Sequence, residues 1–539
     1  QVTMKNSIFK LFENGGTYSC NMPANFLSLS MRSLFLIIFL LVNTVTSAQY
    51  TDRYWAFGDS AGIDFKNLSN PQPANSILRV RGTCASICDS AGDLLFYCGS
   101  PNWIQWLAPN NIITDGTVIN KNHQVFESGD SLVGALWYQE MVIVPKPGVD
   151  SLFYIFAAGV TTAKKGLFYS IVDLNYNNGQ GRVIQKNVQL RNDYITDCIT
   201  AVRHGNGRDW WVLVRSWSST PTNDITAYLV SPSGVTAMPT QYIGPNVANA
   251  SAYRLKFNKQ GNHLFNVCQI GGVERYDFDR CTGILSNRNI YAVPNVSISG
   301  YWDFEISEDE TKMYAVRNML GPLQNTTKLF QYDLDTVTFL SNAQLMATYT
   351  DPDVGGALKM GPNGKIYFSI GYFGANDTCF DYLYCYSTTN LTNTNLSVIN
   401  YPDSTFPACD YQAFSFYLGG HKAYFGLPNN PHYELGKWVG SPCDTLSVGI
   451  PELFQRKGEL KLYYDKSWQT VFVNAEQLKG RTGKLQFYST NGQLVDEVSI
   501  RPDGGYFTYS SSFAAQPAGV YIVRLQTEKE VLTGKFVKW

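Results

Sequence analysis

The stretch GNGRDWWVLV at residues 205–214 contains the pattern that decides the fold. A polar turn with Gly and Asp is followed at once by a short run of aromatic and β-branched residues. This order is typical of a tight turn that leads into a buried β-strand. Because Trp210 and Trp211 fall within the strand, we expect them to pack between neighbouring sheets rather than to form a binding surface.

The same pattern occurs seven times along the chain. Its copies are SAGDLLFYC (90–98), KPGVDSLFYIF (146–156), GNGRDWWVLV (205–214), KQGNHLFNV (259–267), SEDETKMYAV (307–316), GPNGKIYFSI (361–370) and LGGHKAYFGL (418–427). One aromatic residue in each copy serves as its anchor: Phe96, Phe153, Trp211, Phe265, Tyr314, Tyr367 and Tyr424. The anchors are roughly 55 residues apart, a period that fits four-stranded propeller blades with long loops. The sequence therefore predicts an all-β chain with a seven-bladed β-propeller at 49–445, closed by an N-terminal strand in the last blade.

Composition excludes several classes of function. The 539 residues contain 42 Lys and Arg against 43 Asp and Glu, and only 16% of the residues are charged. A chain with a net charge of −1 has no general attraction for a phosphate backbone, so we expect no nucleic-acid partner. With 44% apolar and 14% aromatic residues, the chain has enough apolar surface to fold.

The N-terminal region predicts export. Residues 34–42 (LFLIIFLLV) are apolar but too few to span a bilayer. Met31 and Arg32 precede them, and small residues follow at 46–48, which is the pattern of a signal peptide at 31–48. We interpret residues 1–30 as an unstructured upstream extension, and we expect no transmembrane span in the mature chain.

Cysteine usage agrees with an exported chain, since ten of the 11 cysteines follow the signal peptide. An even number of cysteines outside the cytosol predicts disulfides. Local spacing favours Cys268 with Cys281 and Cys379 with Cys385, each pair around a predicted hairpin. The spacing of Cys84 and Cys88 could also provide half of a zinc site, but no matching second pair follows, so disulfides are preferred.

No catalytic motif is complete. The block FGDS at 57–60 is similar to that of GDSL-type esterases, but none of the five His residues follows an Asp by three positions, as the base of that chemistry would. Zinc-protease, phosphate-loop and dinucleotide motifs are absent from the sequence, so no cofactor and no metal site are predicted. A pair of axial carboxylates on a propeller could still hydrolyse or cleave a glycan, which keeps a carbohydrate-active enzyme as an alternative.

Tryptophans in predicted loops are the candidates for ligand contact, because exposed large aromatics often mark binding sites. They are Trp103, Trp106, Trp217 and Trp438.

The C-terminal region changes in pattern near residue 452. Short alternating segments such as TVFVNA, GKLQFYST and GVYIVRLQT predict a small antiparallel β-sandwich at 452–539, after a linker at 446–451. Residues 484–496 (KLQFYSTNGQLVD), 517–523 (PAGVYIV) and 535–538 (KFVK) resemble the type A C-terminal sorting domain of the type IX secretion system of the Bacteroidota.

The resemblance implies that four residues belong to the sorting signal. Gly519 and Tyr521 match the family's Gly-x-Tyr block, and Lys535 and Lys538 match its basic terminal strand. One departure is at 462–465, where LYYD stands in place of the usual Tyr-Pro-Asn-Pro-like block. Segments 54–65 (YWAFGDSAGIDF), 143–148 (IVPKPG), 276–287 (YDFDRCTGILSN) and 426–436 (GLPNNPHYELG) also resemble exported propeller proteins of the same bacteria.

These observations together predict a non-enzymatic binding module for a glycan or protein ligand. The resemblance implies that it crosses the periplasm and reaches the outer-membrane surface or the medium through the type IX secretion machinery. A structural or adhesive role at the cell surface is a further alternative.

Overall fold

The computed structural model describes 50–101, 116–134, 138–160, 165–220, 222–247, 253–294, 300–319, 326–350, 353–372, 389–444, 459–476, 478, 482–502, 507–529 and 531–539. Nearly all of its regular structure is antiparallel β-sheet, which confirms the all-β prediction. The predicted signal peptide, the upstream extension and the linker lie outside the described residues, as do Trp103, Trp106, Cys379 and Cys385.

Six antiparallel sheets of four or five strands, and one further sheet of two short strands, follow one another along the described part of 50–444. Sheet 1 contains β1 (Tyr54–Phe57), β2 (Asp59–Asp64), β3 (Gln72–Cys88), β4 (Leu94–Pro101) and β5 (Thr117–Asn120). Sheet 2 contains β6 (Met141–Pro145), β7 (Leu152–Val160), β8 (Lys165–Asp173) and, after a 3₁₀ turn at Tyr176–Gly179, β9 (Arg182–Arg191). Sheet 3 contains β10 (Thr200–Arg203), β11 (Trp210–Arg215), β12 (Thr222–Ser231), β13 (Gly234–Ala237) and β14 (Gln241–Val247).

The next three sheets repeat this hairpin order. Sheet 4 contains β15 (Tyr253–Phe257), β16 (His263–Cys268), β17 (Val273–Asp279) and β18 (Ile284–Ala292). Sheet 5 contains β19 (Tyr301–Ile306), β20 (Lys312–Met319), β21 (Thr326–Asp333) and β22 (Gln344–Thr350). Sheet 6 contains β24 (Leu358–Met360), β25 (Ile366–Phe368), β27 (Asn395–Ile399) and β28 (Tyr411–Tyr417). β23 (Asp353–Val354) and β26 (Gly371–Tyr372) pair as a separate two-stranded sheet, and the short helix α1 (Leu391–Thr394) precedes β27.

In sheets 2 to 6 the anchors lie in the second strand. In β11, the second strand of sheet 3, adjacent residues pack into different cores, because successive side chains of a strand point to opposite faces. Trp210 packs in a core shared with sheets 1 and 2, whereas Trp211 packs against sheet 4. Phe265 lies in the core between sheets 4 and 5, and Tyr314 lies in the core between sheets 5 and 6. Each of these anchors therefore joins two sheets, as the repeat predicts.

The series of sheets closes on itself. Tyr367 of sheet 6 packs edge-on against Trp55 of sheet 1, with ring centroids 5.6 Å apart in a shared core. The innermost strands β3, β6, β10, β15, β19 and β24 contact one another in that order around a common axis. A closed ring of face-packed sheets around an axis is the architecture of a β-propeller.

The seventh repeat does not form a seventh sheet. Six anchors lie in strands of sheets 1 to 6, but Tyr424 lies outside any strand, in a segment linked to β2 only by bridges from Lys422. Pro428 and Pro431 follow shortly after, and Pro cannot donate to a sheet ladder. The described residues therefore do not confirm the prediction of seven blades; after its bridges to β2, the seventh copy continues into the axis of the ring.

The C-terminal region has two sheets of its own. One contains β29 (Glu459–Asp465), β30 (Thr470–Glu476) and β33 (Phe507–Ser512); the other contains β31 (Gly483–Ser489), β32 (Leu494–Ile500), β34 (Gly519–Thr527) and β35 (Val531–Lys538). Both sheets contribute to one apolar core, for example Val473 from the first and Phe487 and Val523 from the second.

A disulfide in the described part of the ring joins Cys281 to Cys443, with Cα atoms 5.4 Å apart. The predicted pairing of Cys281 with Cys268 is therefore wrong. Cys268 is the last residue of β16, next to Val267, which pairs with Val273 at the start of β17; Cys281 lies two residues after the end of β17, at the opposite end of the same hairpin. Local spacing suggested a partner that the strand direction places out of reach.

Replacing both Cys281 and Cys443 by Ser should lower the free energy of unfolding by about 2–4 kcal/mol, because the disulfide closes a long loop of the unfolded chain. Guanidinium titration followed by Trp fluorescence measures this change. A reductant should destabilise the wild-type chain by a similar amount and leave the double variant unaffected. Equal stability of the oxidised wild type and the variant would show that this bond does not hold the ring.

Candidate functional site

The axis of the ring is filled by the chain itself. Residues 425–436, here called the axial segment, run between the innermost strands after the last sheet. The Phe425 amide donates to Arg81 O at 3.0 Å, and the Asn429 amide donates to Cys84 O at 2.8 Å. At Gly426 any Cβ would lie 1.9 Å from the carbonyl oxygen of Gly82, so only Gly permits this approach to β3.

Asn429 connects the axial segment to several sheets at once. Its side-chain amide donates to Met141 O and Ile199 O, each at 2.9 Å, and its carbonyl oxygen lies 3.3 Å from Gln139 Nε2. Gln139 Nε2 in turn donates to Leu255 O at 2.8 Å. Since these acceptors belong to strands that begin or flank sheets 2, 3 and 4, Asn429 holds three sheets around one side chain.

Two arginines, the half-buried Arg203 and the buried Arg280, hold the far end of the axial segment. Arg203 donates to Tyr433 O at 2.8 Å, and Arg280 donates to Gly436 O at 2.5 Å. Burial lowers the pKa of both guanidinium groups to about 10, which leaves them charged at neutral pH. Tyr433 Oη donates to Ile143 O at 3.0 Å, so this end also contacts sheet 2.

A network of buried ion pairs surrounds the segment. Arg254 Nη1 lies 3.4 Å from Asp197 Oδ2, and the Asp303 carboxylate lies 3.9 Å from Arg254 Nε and 3.1 Å from Lys256 Nζ. Glu305 lies 3.5 Å from the same Lys256 ammonium. Burial raises the pKa of Asp197, while the Arg254 charge opposes that rise. Each of these carboxylates therefore forms an ion pair with a cation of the ring. Among its described residues, the axis interior has about 90 Å³ of space and no pair of carboxylates free of such ion pairs.

A larger cavity of about 370 Å³, here called the end cavity, opens at one end of the axis. Its walls are the ends of the first strands of sheets 4, 5 and 6 together with residues 432–436 of the axial segment. Asp52, Lys359, His432 and Glu434 line it. The sequence did not indicate His432 or Glu434 as binding residues. They reach the end cavity only because residues 426–436 (GLPNNPHYELG) run along the axis of the ring.

The titratable groups of the end cavity are perturbed by desolvation. Burial raises the pKa of Asp52, although Lys359, Asn430 and Trp55 oppose the shift. Burial also raises the pKa of Glu434. Desolvation and the nearby Lys359 and Lys259 ammonium groups lower the pKa of His432 to about 4, so its imidazole is neutral at pH 7.

The predicted tryptophan contacts are not brought together. Trp217 follows β11 and packs edge-on against Tyr194, with ring centroids 5.6 Å apart. Trp438 is 42% exposed and donates its backbone amide to Gly205 O, in the turn before β11 begins. The two therefore lie near opposite ends of one strand and do not form a common aromatic surface.

The residues matched to the sorting family do come together. Gly519 pairs with Lys538 across β34 and β35, and Tyr521 pairs with Phe536. Lys535 lies opposite Ile522 on the same ladder. Lys538 is buried, and its ammonium donates to Phe513 O, Ala514 O and Gln516 O at 2.5, 3.2 and 2.5 Å, while Tyr521 Oη donates to Pro517 O at 2.7 Å.

Two further features bear on function. Within the described ranges, no three His, Cys, Asp or Glu side chains are grouped so as to hold a metal ion. In the same ranges the structure has no helix with the length and hydropathy of a membrane span.

No protein-family model and no curated protein matches the chain. Among solved structures, it is similar to a quinonprotein alcohol dehydrogenase-like protein from Bacteroides thetaiotaomicron, at 12% identity over 71% of this chain and 79% of that one, with a TM-score of 0.35. A β-propeller domain from Myceliophteria thermophila is 8% identical over 60% of this chain and 93% of that one, with a TM-score of 0.31.

PorZ, a surface component of the type IX secretion system of Porphyromonas gingivalis, is 10% identical over 90% of this chain and 75% of that one, with a TM-score of 0.27. The propeller assignment above rests on the sheets and their contacts in this chain, not on these likenesses.

Replacing Asn429 by Ala should lower the free energy of unfolding by about 2–4 kcal/mol, because two buried carbonyl groups and Gln139 lose a partner. Chemical denaturation of the full chain measures the loss. The matched control, Asn289→Ala on an exposed strand, should change stability by less than about 0.5 kcal/mol. Equal effects of the two substitutions would mean that the axial segment does not hold the ring together.

Proposed function

We propose that the chain is an exported surface protein in which the ring of sheets binds a ligand and the C-terminal region directs export. In this proposal 49–445 is the propeller, 446–451 is a linker, and 452–539 is a β-sandwich sorting domain read by the type IX secretion machinery. The observation that carries the export part is the convergence of Gly519, Tyr521 and Lys538 on the last two strands.

The buried Lys538 gives this convergence a physical basis. An ammonium that donates to three backbone carbonyls fixes the end of β35 against the turn at 513–517. Phe513 packs edge-on against both Tyr521 and Phe536, with centroids 5.1 Å apart in each pair. The last two strands are therefore fixed as one unit, which supports their role as the element that a transport machinery recognises.

Binding, not catalysis, is the function we propose for the ring. The carboxylates of the axis interior are held by Arg254 and Lys256, so they support the ring rather than face a substrate. The block at 57–60 does not form an esterase elbow, because Ser60 lies in strand β2 of an antiparallel sheet. We place the ligand, a glycan or a protein, in the end cavity, which has about 370 Å³ of space against about 90 Å³ in the axis interior.

The alternative of a carbohydrate-active enzyme has one specific observation in its favour. Asp52 and Glu434 both line the end cavity, and the pKa of each is raised. Most glycosidases use two carboxyl groups in one site for catalysis. Asp52, however, accepts hydrogen bonds from Trp55 Nε1 at 3.0 Å and Asn430 Nδ2 at 2.6 Å. Since Asn430 belongs to the axial segment, the Asp52 carboxylate holds that segment in place. A structural or adhesive role at the surface is the third candidate.

A chain ending at residue 451 should fold its ring normally but remain in the periplasm of a host with the type IX machinery. Cell fractionation with immunoblotting measures the distribution, and the full-length chain expressed at the same level is the reference. Delivery of the truncated chain to the surface or medium at the full-length level would refute the sorting proposal.

The wild-type chain should show no turnover in a screen of glycosidase, lyase and esterase substrates. If turnover appears and Glu434→Gln abolishes it while Glu127→Gln does not, the enzyme alternative replaces the binding proposal. Glu127 is a suitable control because it is an exposed carboxylate that pairs with Arg182 outside the end cavity.

A further inference from the structure

Three aromatic side chains, here called the aromatic platform, lie together on the C-terminal sheet formed by β29, β30 and β33. They are Tyr463 of β29, Phe472 of β30 and Trp468 of the turn between these strands. Tyr463 and Trp468 are 63% and 73% exposed, and no part of the described chain covers them. The ring centroid of the half-buried Phe472 lies 6.3 Å from that of Tyr463 and 6.5 Å from that of Trp468. The three rings therefore form one contiguous exposed surface, which single surface aromatics do not.

The outward direction of the platform follows from strand alternation. Val471 and Val473 flank Phe472 in β30, and both are fully buried in the core between the two C-terminal sheets. Because successive side chains of a strand point to opposite faces, Phe472 points outward. Tyr463 pairs with Phe472 across β29 and β30, so it shares the outer face. The platform is thus additional to the apolar core of the C-terminal region.

The turn that carries Trp468 is held by hydrogen bonds. The Asp465 carboxylate accepts from the backbone amides of Ser467 and Trp468 at 2.8 and 3.0 Å. The Phe513 amide donates to Gln469 O at 2.8 Å, which ties the turn to the segment after β33. An ordered turn presents the exposed indole in one position, and this reduces the conformational entropy that is lost when a ligand binds.

Neutral polar side chains border the platform on the same face. Ser510 of β33 lies opposite Phe472, and Asn474 and Thr508 form the next pair along β30 and β33. All three are exposed. Their hydroxyl and amide groups both donate and accept hydrogen bonds, as the hydroxyl groups of a sugar require. The negative face of an aromatic ring in turn attracts the polarised C–H groups on the face of a sugar ring.

The size of the platform argues against a second copy of the chain as its occupant. The three side chains together expose on the order of 350 Å². A specific protein–protein interface takes about 800 Å² from each partner. The apolar surface does not extend further across β30 and β33, because positions 474, 508 and 510 are polar. Rings bordered by hydroxyl and amide groups over so small an area fit a few sugar units.

We propose that the aromatic platform binds a polysaccharide built of neutral sugars. Tyr463 and Trp468 stack on the faces of sugar rings, and Asn474, Thr508 and Ser510 form hydrogen bonds with the sugar hydroxyls. This inference goes beyond the function proposed above, because the platform lies in the C-terminal region and not in the end cavity. Its failure would leave the proposals on the end cavity and on sorting unchanged.

Native affinity electrophoresis of the chain from residue 49 to 539 tests the proposal. The gels contain one soluble neutral polysaccharide each: hydroxyethylcellulose, arabinose-free xylan, galactomannan, laminarin or dextran. A gel without polysaccharide is the reference for mobility. At least one polymer should retard the chain, and the dependence of mobility on polymer concentration gives the dissociation constant.

Four variants locate the binding site. Tyr463→Ala and Trp468→Ala should each weaken binding at least about tenfold, because a stacking ring is removed. Tyr463→Phe keeps the ring and should bind within about threefold of the wild type. Tyr242→Ala should bind like the wild type, since Tyr242 is a 76% exposed tyrosine of strand β14, outside the C-terminal region. Thermal melting by circular dichroism checks that each variant is folded, which the exposure of these side chains favours.

The proposal is overturned if none of the polysaccharides retards the wild-type chain, or if both alanine variants of the platform are retarded like the wild type. Two further results would assign the platform to another occupant and also reject the proposal. A dimer in sedimentation velocity that Trp468→Ala dissociates would indicate a second copy of the chain. A loss of export in Trp468→Ala, without polysaccharide binding by the wild type, would indicate the secretion machinery.

Discussion

The ring depends on the contact between its last sheet and its first. Trp55 and Phe65 of the N-terminal part pack edge-on against Tyr367 of sheet 6, with centroids 5.6 and 5.5 Å apart. A series of sheets that packed only against sequence neighbours would leave an apolar face exposed at each end, whereas this contact buries both. Closure also defines an axis, and the axis determines where the chain after the last sheet can go.

The axial segment then makes closure difficult to reverse. It contacts inner strands from opposite sides of the ring, through Asn429, Tyr433 and the carbonyls that Arg203 and Arg280 bind. The Cys281–Cys443 disulfide fixes its exit to sheet 4. A ring filled in this way has little room for a ligand in its interior, so the end cavity becomes the place where function is expected.

The sequence predicts sheets well because their determinants are local. Paired aromatics such as Trp210 and Trp211 after a Gly turn specify a strand with two buried faces, and the structure confirms this. The turns are equally local: Asp279 accepts from the Cys281 amide at 2.8 Å, and Asp335 accepts from the Val337 amide at 2.8 Å, as capping carboxylates do. The axial segment could not be predicted in this way. The run KAYFGL at 422–427 has the composition of a strand. Only its contacts with residues hundreds of positions away direct it into the axis of the ring. The disulfide could not be predicted either, since connectivity does not follow from spacing. Glu434 and His432 meet at the end cavity only because the axial segment runs through the ring.

Hydrogen exchange of individual backbone amides tests the filled axis most directly. The amides of Ala423, Phe425 and Asn429 donate to Asn393 O, Arg81 O and Cys84 O. If the axial segment is part of the folded ring, these amides should exchange as slowly as those of the inner strands β6 and β10, and they should lose protection only when the ring unfolds. Exchange as fast as that of an exposed loop, while the inner strands remain protected, would show that the axis is open and would contradict this account.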